Sequence, residues 1–267
     1  MSMTYKGKTA LITGASSGLG AEFAEQLAAA GANLILVARR EDRLLKLANE
    51  LGKKYGVKAS HIAFDLSSPN SGEELEKLLT AKGFQVDILV NNAGFATNAT
   101  LLNEDRNKVR EEIQLNVGTL VDLTVGLTPQ MVARNFGVII NVASTAAFQP
   151  VSNMAVYAAT KSFVLSFTQA IWGELQNKNI KVLAICPGAT ESEFWEVAGM
   201  GSVSRKGFQT PKEVVSNALR EVGRRNNNPY LVSGIKNRVL ARSIKFMPTK
   251  MVIKMVGKMF EPKASGL

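Results

Sequence analysis

Short apolar runs alternate along this chain with longer amphipathic stretches, and that alternation limits the fold more than any other feature. The runs are KTALIT (8–13), NLILVA (33–38), SHIAFD (60–65), VDILVNN (86–92), GVIINVAS (137–144), IKVLAIC (180–186) and a short YLVS (230–233). Between them, apolar spacing and end signals predict helices over 19–30, 41–55, 71–81 and 155–177. A long helix or helix pair is expected over 104–134, and another helix from Pro211 to about Arg224. Runs with almost no polar alternation suit strands buried on both faces, and strands that alternate with helices suit a parallel sheet. The expectation is an α/β fold, one doubly wound domain of about seven parallel strands with helices on both faces. No internal repeat, low-complexity tract or domain-scale linker interrupts the pattern.

Composition narrows the function classes. At 46% hydrophobic over 267 residues the chain can bury a large core. No run of apolar residues is long enough to cross a bilayer as a helix. The opening MSMTYKGKTALITG runs straight into the first strand without the apolar region of a secretory leader, so a cytoplasmic setting is expected, with peripheral membrane contact as an alternative. One cysteine, Cys186, excludes an intrachain disulfide, and one histidine, His61, excludes a multi-histidine metal site. His61 is expected at the surface or at a sheet edge. No metal is expected. The net charge of +10 is uneven: eight lysines and arginines fall between Ile235 and Lys263 against Glu261 alone. Basicity therefore belongs to the tail. Nucleic acid is not an expected partner, because no aromatic stacking platform accompanies the charge.

The first turn is TGASSGLG (13–20), with glycines at 14, 18 and 20 between a strand and a helix. Such a turn lets backbone approach a phosphate, and the helix start offers free amides and a positive dipole end. Gly14, Ser16, Ser17, Gly18, Leu19 and Gly20 are the expected cradle of a dinucleotide. The second strand ends in Ala38, Arg39 and Arg40, where an acidic residue would suit the ribose of NAD and a guanidinium suits the 2′-phosphate of NADP. NADP(H) is therefore the expected cofactor, although Glu41 and Asp42 stand close enough to partner these arginines. Asp65, with Leu66 beside it, ends the third strand. Its carboxylate either accepts from the adenine amino group or caps a turn.

The fifth strand ends in Ser144, and Tyr157 and Lys161 follow one helical turn apart in AVYAATKSF (155–163). Strand ends and the starts of following helices share the carboxyl edge of a parallel sheet, where open α/β folds bind ligands. A nearby ammonium favours the phenolate, which would make the tyrosine a usable acid–base group, and the serine hydroxyl can hold a substrate oxygen.

These elements stand in a familiar order. TGASSGLG (13–20), NNAG (91–94), Asn116, Ser144, YAATK (157–161) and PG (187–188) resemble the short-chain dehydrogenase/reductase family, over roughly residues 5 to 235. Within it the chain is similar to bacterial NADP-dependent carbonyl, 3-oxoacyl and steroid-type reductases. The resemblance implies a Rossmann-like fold with Tyr157 as the acid–base residue and Ser144 orienting the substrate carbonyl. Lys161 would bond the nicotinamide ribose as well as tuning Tyr157. It implies that Asn116 holds a water in a proton relay, that Asn92, Ala93 and Gly94 line the cofactor, and that Asn91 steadies the sheet. Pro187, Gly188 and Thr190 would lie near the nicotinamide. The family's PGxxxT pattern falls on Ser192, which leaves open whether Thr190 or Ser192 bonds the carboxamide. Ser17 stands where NADP-preferring members often carry a basic residue, so the phosphate grip would rest on Arg39 and Arg40.

The expected organisation is a cofactor-binding and catalytic domain over 1–235, a lid over 190–210 within it, and a basic amphipathic extension over 236–267. Phe194 and Trp195 in the lid, with Phe95, Phe148 and Met154, are expected to wall a pocket for an apolar ketone, aldehyde or alcohol. General carbonyl reduction, 3-oxoacyl thioester reduction and hydroxysteroid oxidation remain open, and so does a non-catalytic NADP-sensing or scaffold role. The tail sets methionines at 247, 251, 255 and 259 and lysines at 250, 254 and 258. It reads as a helix packed on the enzyme or a subunit neighbour, a helix lying on an anionic membrane, or a dock for an acidic carrier protein or CoA phosphates. The helix over 155–177 is apolar nearly all round, and the family resemblance implies homodimers or homotetramers through it.

Overall fold

The computed structural model describes residues 4–200 and 206–260. Residues 201–205 of the expected lid and Glu261 and Lys263 of the expected tail lie outside the described residues, as do the side chains of Lys258 and Met259. Seven strands form one sheet: β1 (Thr9–Thr13), β2 (Asn33–Ala38), β3 (Ala59–Ala63), β4 (Ile88–Asn91), β5 (Gly137–Val142), β6 (Ile180–Cys186) and β7 (Tyr230–Val232). Their order is β3-β2-β1-β4-β5-β6-β7, and every pair is parallel. The order reverses between β1 and β4, which opens a crevice beyond their carboxyl ends.

Successive side chains on a strand point to opposite faces, and here both sets are apolar. Ile12, Leu36, Val90, Ile140 and Ile185 face a layer built from α1 (Gly18–Ala29), α2 (Glu41–Tyr55) and α8 (Pro211–Val222). Leu11, Ile35, Leu89, Ile139 and Val182 face a layer built largely from α3 (Ser71–Ala81) and α5 (Thr119–Ala133). Phe23 and Leu27 of α1 and Leu123 and Leu127 of α5 fill the two cores. This two-sided burial is why the strands lack polar alternation. A buried polar chain crosses the second core: Asn91 donates to Thr124 at 3.0 Å and to Asn141 at 2.9 Å, and Asn141 donates to Thr168 at 2.9 Å. His61 lies on the edge strand β3, its Nε2 3.9 Å from Glu41.

Four local features differ from the pattern read from sequence. The 104–134 segment is divided into α4 (Arg106–Ile113), a π-helical turn (Gln114–Gly118) and α5. Widened turns of this kind recur at functional sites, and Asn116 sits inside this one. α6 (Ala155–Glu174) ends three residues early, and a helix the spacing did not mark, α9 (Ile235–Ser243), follows β7. In α10 (Thr249–Met259) the buried stripe is Val252 and Val256, whereas Met251 and Met255 are exposed. A helix with apolar residues on both sides offers two candidate stripes, and the β-branched pair is the one that packs. Only a short helix, α7 (Phe194–Val197), lies in the described part of the lid.

Leu36→Ala, at a fully buried site, is expected to lower stability by about 2–5 kcal/mol in denaturant titration. Leu45→Ala, on the exposed side of α2, is expected to change it by less than about 0.5 kcal/mol; equal effects would contradict the two-face packing.

Candidate active site

The turn after β1 is shaped by close backbone approach. Gly14 has φ +65° and Gly18 φ +54°, in the region that favours glycine. A Cβ on Gly14 would lie 2.9 Å from the Ala93 Cα, and one on Gly20 would collide with the Gly14 carbonyl oxygen. Two side chains then tie β1 to the end of β4. The Thr13 hydroxyl accepts from the Asn92 and Ala93 backbone N–H groups, each at 3.0 Å, and donates to the Val90 carbonyl at 3.3 Å. The Asn92 carboxamide donates to the Thr13 and Gly14 carbonyls at 2.9 and 3.2 Å. No side chain caps the start of α1, so its first amides are left for a ligand.

The two arginines after β2 diverge. Arg40 lies across the turn, donating to Ser16 from Nε at 3.2 Å and from Nη2 at 2.9 Å, and to Ser17 at 3.0 Å. Its Nη1 pairs with Glu193 of the lid at 2.7 Å, and Arg43 pairs with the other Glu193 oxygen at 2.6 Å. Hydrogen bonds from Arg43 and Arg40 bring the Glu193 carboxyl down to about 2. Arg39 is exposed and makes no hydrogen bond among the described residues. Asp65 accepts from the Ser67 backbone and hydroxyl at 3.0 and 2.7 Å, so one of its oxygens caps a turn. Leu66 is buried in the second core and its carbonyl accepts from Ser71 and Thr119.

Ser144 follows β5 and caps a short 3₁₀ turn (Thr145–Phe148), accepting from the Ala146 N–H at 3.1 Å. Tyr157 and Lys161 stand on the first turns of α6. The Lys161 ammonium donates to the Val142 carbonyl at 2.8 Å and lies 5.7 Å from the Tyr157 ring centroid. Gly94 is close enough that a Cβ there would meet Asn116 Oδ1 at 2.8 Å and Lys161 Nζ at 3.5 Å. The Asn116 carboxamide is engaged on both sides, donating to the Phe95 carbonyl at 3.0 Å and Thr160 at 3.1 Å and accepting from the Phe95 N–H at 3.2 Å. Ser144, Tyr157, Lys161 and Asn116 thus converge at the carboxyl edge beside Gly94.

Burial dominates the electrostatics. It pushes the Tyr157 phenol up to about 12, with the Ser144 hydroxyl pulling the other way. It brings the Lys161 ammonium down to about 8, against the attraction of Glu112. Both groups are desolvated, and at neutral pH the phenol keeps its proton.

The lid continues from the Pro187–Gly188 corner. Glu191 and Gln209 pair backbone to backbone, as do Gln209 and Ala189. Thr190 donates to the Gly188 carbonyl at 3.0 Å and accepts from the Trp195 indole at 2.9 Å. Ser192 packs against Gly18, where a Cβ would lie 3.1 Å from its own. Phe194 rests on Tyr157 with ring centroids 5.4 Å apart and on Trp195 at 5.5 Å. Met154 joins the same cluster. Phe148 does not: it packs on Tyr230 at 5.8 Å in a separate cluster. Phe95 meets the site through its backbone bonds to Asn116.

Sequence reasoning missed Thr13, Asn237, Glu193 and Glu112. Asn237 of α9 packs under Gly188, and no motif marks it. Glu112 was legible in one respect, standing one helical turn before Asn116 and so on the same face. It is fully buried. One oxygen accepts from the Thr97 N–H and hydroxyl at 3.0 and 2.9 Å, and the other has no partner. Burial pushes its carboxyl up to about 7.

A family model described as short chain dehydrogenase matches residues 8–200. The chain is 32% identical over 231 residues to the very-long-chain 3-oxoacyl-CoA reductase of Meyerozyma guilliermondii, covering 82% of this chain and 66% of that protein. A solved short-chain dehydrogenase from Sphingobium yanoikuyae in complex with NADPH is 32% identical, with a TM-score of 0.79 over 97% of this chain and 98% of that one. A 7β-hydroxysteroid dehydrogenase structure is 25% identical, with a TM-score of 0.86 over 96% and 99% of the two chains.

The raised Glu112 carboxyl makes stability pH-dependent. Between its ordinary value and about 7 the folded state binds more protons than the unfolded, so this group's effect is falling stability as pH rises, level above that window. Glu112→Gln, which keeps an acceptor for Thr97, is expected to remove the fall. The gain would be up to about 3 kcal/mol above neutrality and close to nothing in acid. Melting temperatures of both proteins across pH measure it; a pH-independent difference would contradict it.

Proposed function

The chain belongs to the short-chain dehydrogenase family, and from that premise we propose that it reduces an apolar ketone or aldehyde to the alcohol with NADPH, Tyr157 supplying the proton. The observation that carries this reading is the convergence of Ser144, Tyr157, Lys161 and Asn116 beside the glycine turn. The turn suits a dinucleotide: Gly14 and Gly20 let its backbone pack directly against the 91–94 segment, and the start of α1 is uncapped. When bound there, the coenzyme supplies the hydride. Gly14, Ser16, Ser17, Gly18, Leu19 and Gly20 would hold its phosphates, Asn92, Ala93 and Gly94 its central ribose, and Pro187, Gly188, Thr190 and Ser192 its nicotinamide end.

The protein's own groups manage the proton. Ser144 donates to the substrate oxygen and fixes it near the phenol. Tyr157, held as a phenol by burial, protonates that oxygen as negative charge develops. Lys161 keeps its ammonium against the site and would also bond the coenzyme ribose. Asn116, inside the π-helical turn, would hold the water through which the proton is replaced. The aromatic lid over Tyr157 excludes bulk water and favours an apolar substrate. A phenol held protonated at neutral pH is ready to donate to the developing alkoxide.

NADP(H) rather than NAD(H) is supported by Arg39, whose guanidinium is free for a 2′-phosphate while Arg40 is committed to Ser16, Ser17 and Glu193. Among substrates, a 3-oxoacyl thioester is favoured by the curated relative's activity, with a hydroxysteroid or general ketone as alternatives. Phe163 on α6 and Val125 on α5 are exposed and would be covered in a homo-oligomer.

Initial rates with NADPH and NADH against an aromatic ketone, a 3-oxoacyl thioester and two ketosteroids test the reading. Tyr157→Phe is expected to lose at least about a hundredfold in kcat. Arg39→Gln is expected to raise the KM for NADPH about tenfold to a hundredfold and leave NADH unchanged. Undiminished turnover in Tyr157→Phe would overturn the acid–base assignment, and equal losses for both coenzymes in Arg39→Gln would overturn the phosphate assignment.

A further inference from the structure

α10 has two working faces. Val252 and Val256 turn inward onto the cluster that contains Tyr157, Phe194 and Trp195. The chain beyond them is pinned where the Phe260 carbonyl accepts from the Asn98 and Asn153 carboxamides, each at 3.2 Å. The helix thus packs on the aromatic cluster that, in the proposed function, walls the substrate site. Its other face leaves Met251 and Met255 exposed, sharing a shallow groove with Pro248, Lys250 and Lys254.

The exposed apolar character extends beyond this groove. Thirteen large hydrophobic side chains are exposed among the described residues, and six of them fall between Ile235 and Met255. Phe246, in the turn between α9 and α10, is 90% exposed, and Ile235 at the start of α9 is 79% exposed. Residues 235–260 contain seven lysines and arginines and no aspartate or glutamate. None of the described basic side chains there has a carboxylate partner among the described residues, whereas Arg40, Arg43, Lys54, Lys77 and Arg224 elsewhere are all paired.

Unpaired bases interleaved with exposed apolar side chains constrain what can cover this surface. A second copy meeting it face to face would oppose like charges. An acidic protein would answer the charge and leave Phe246 and the methionines without an apolar partner. A bilayer with anionic headgroups satisfies both, taking apolar side chains into the headgroup–acyl boundary and lysines to the phosphates. We propose that the α9–α10 surface docks the protein on an anionic lipid bilayer. One consequence rests on the proposed function: the pocket wall then lies at the membrane, beside the source of a bilayer-dissolved substrate. The docking itself does not depend on that reading.

Sedimentation of the full chain with vesicles tests it. Phosphatidylcholine vesicles containing about a third phosphatidylglycerol are expected to carry the protein down, pure phosphatidylcholine vesicles are not, and added salt is expected to weaken binding. Lys250→Gln/Lys254→Gln is expected to bind about thirtyfold more weakly. Phe246→Ser/Met251→Ser is expected to lose at least about tenfold. All four sites are exposed, and an unchanged melting temperature would show that the fold is intact. The proposal is overturned if the parent stays in solution with both vesicles, or if both variants bind as the parent does. It is also overturned if an acidic acyl carrier protein is bound and vesicles are not. A fourth contrary result is loss of self-association in sedimentation velocity with vesicle binding intact, which would make the surface a subunit interface.

Discussion

The carboxyl ends of β1 and β4 are joined by one hydroxyl and one carboxamide, and the site depends on that junction. Thr13 gathers the Asn92 and Ala93 amides, while Asn92 returns two bonds to the carbonyls of Thr13 and Gly14. These bonds hold the glycine turn against the NNAG segment at a separation that a Cβ on Gly14 or Gly20 would violate. The crevice at the point where strand order reverses is therefore set by close backbone approach that two side chains, Thr13 and Asn92, lock in place. Everything that converges there comes from segments anchored in the same sheet.

Desolvation governs the chemistry of that crevice. Tyr157 is held as a phenol, Lys161 is drawn toward neutrality, and Glu112 is held near neutrality from the other side. A carboxyl fully buried behind the lysine, with one oxygen unpartnered, destabilises the fold above neutral pH. At the opposite end of the crevice the opposite rule applies. Glu193, Arg40 and Arg43 are partly exposed and paired, and exposed pairs of this kind contribute about 0–1 kcal/mol each. The 190–200 segment is tied to the turn after β1 and the start of α2 by contacts of that small size.

The sheet and most helices were legible because both strand faces are apolar and the helix ends carry glycine, proline and charged residues. The convergence of the candidate site was legible because Ser144, Tyr157 and Lys161 occupy places that a parallel sheet brings to one edge. What sequence could not supply depends on tertiary contact. The π-helical turn at Asn116, whose carboxamide bonds Phe95 and Thr160, is a local departure to which periodicity is blind. Val252 and Val256, not Met251 and Met255, form the buried stripe of α10, a choice that spacing alone leaves open. Phe148 looked equivalent to Phe194 in composition, but its position on the turn after Ser144 directs it to Tyr230. Arg39 and Arg40 are identical neighbours in sequence, and the bonds of Arg40 to Ser16, Ser17 and Glu193 distinguish them.

Hydride transfer from the coenzyme to a carbonyl carbon under the control of Tyr157 is the claim on which the account stands. It is tested most directly by incubating the protein with NADPH carrying deuterium at the transferable C4 position and an apolar ketone, then weighing the alcohol formed. The account predicts one deuterium on the carbinol carbon, in product that the parent forms and Tyr157→Phe does not. Alcohol without the label, or labelled alcohol formed equally by Tyr157→Phe, would contradict it.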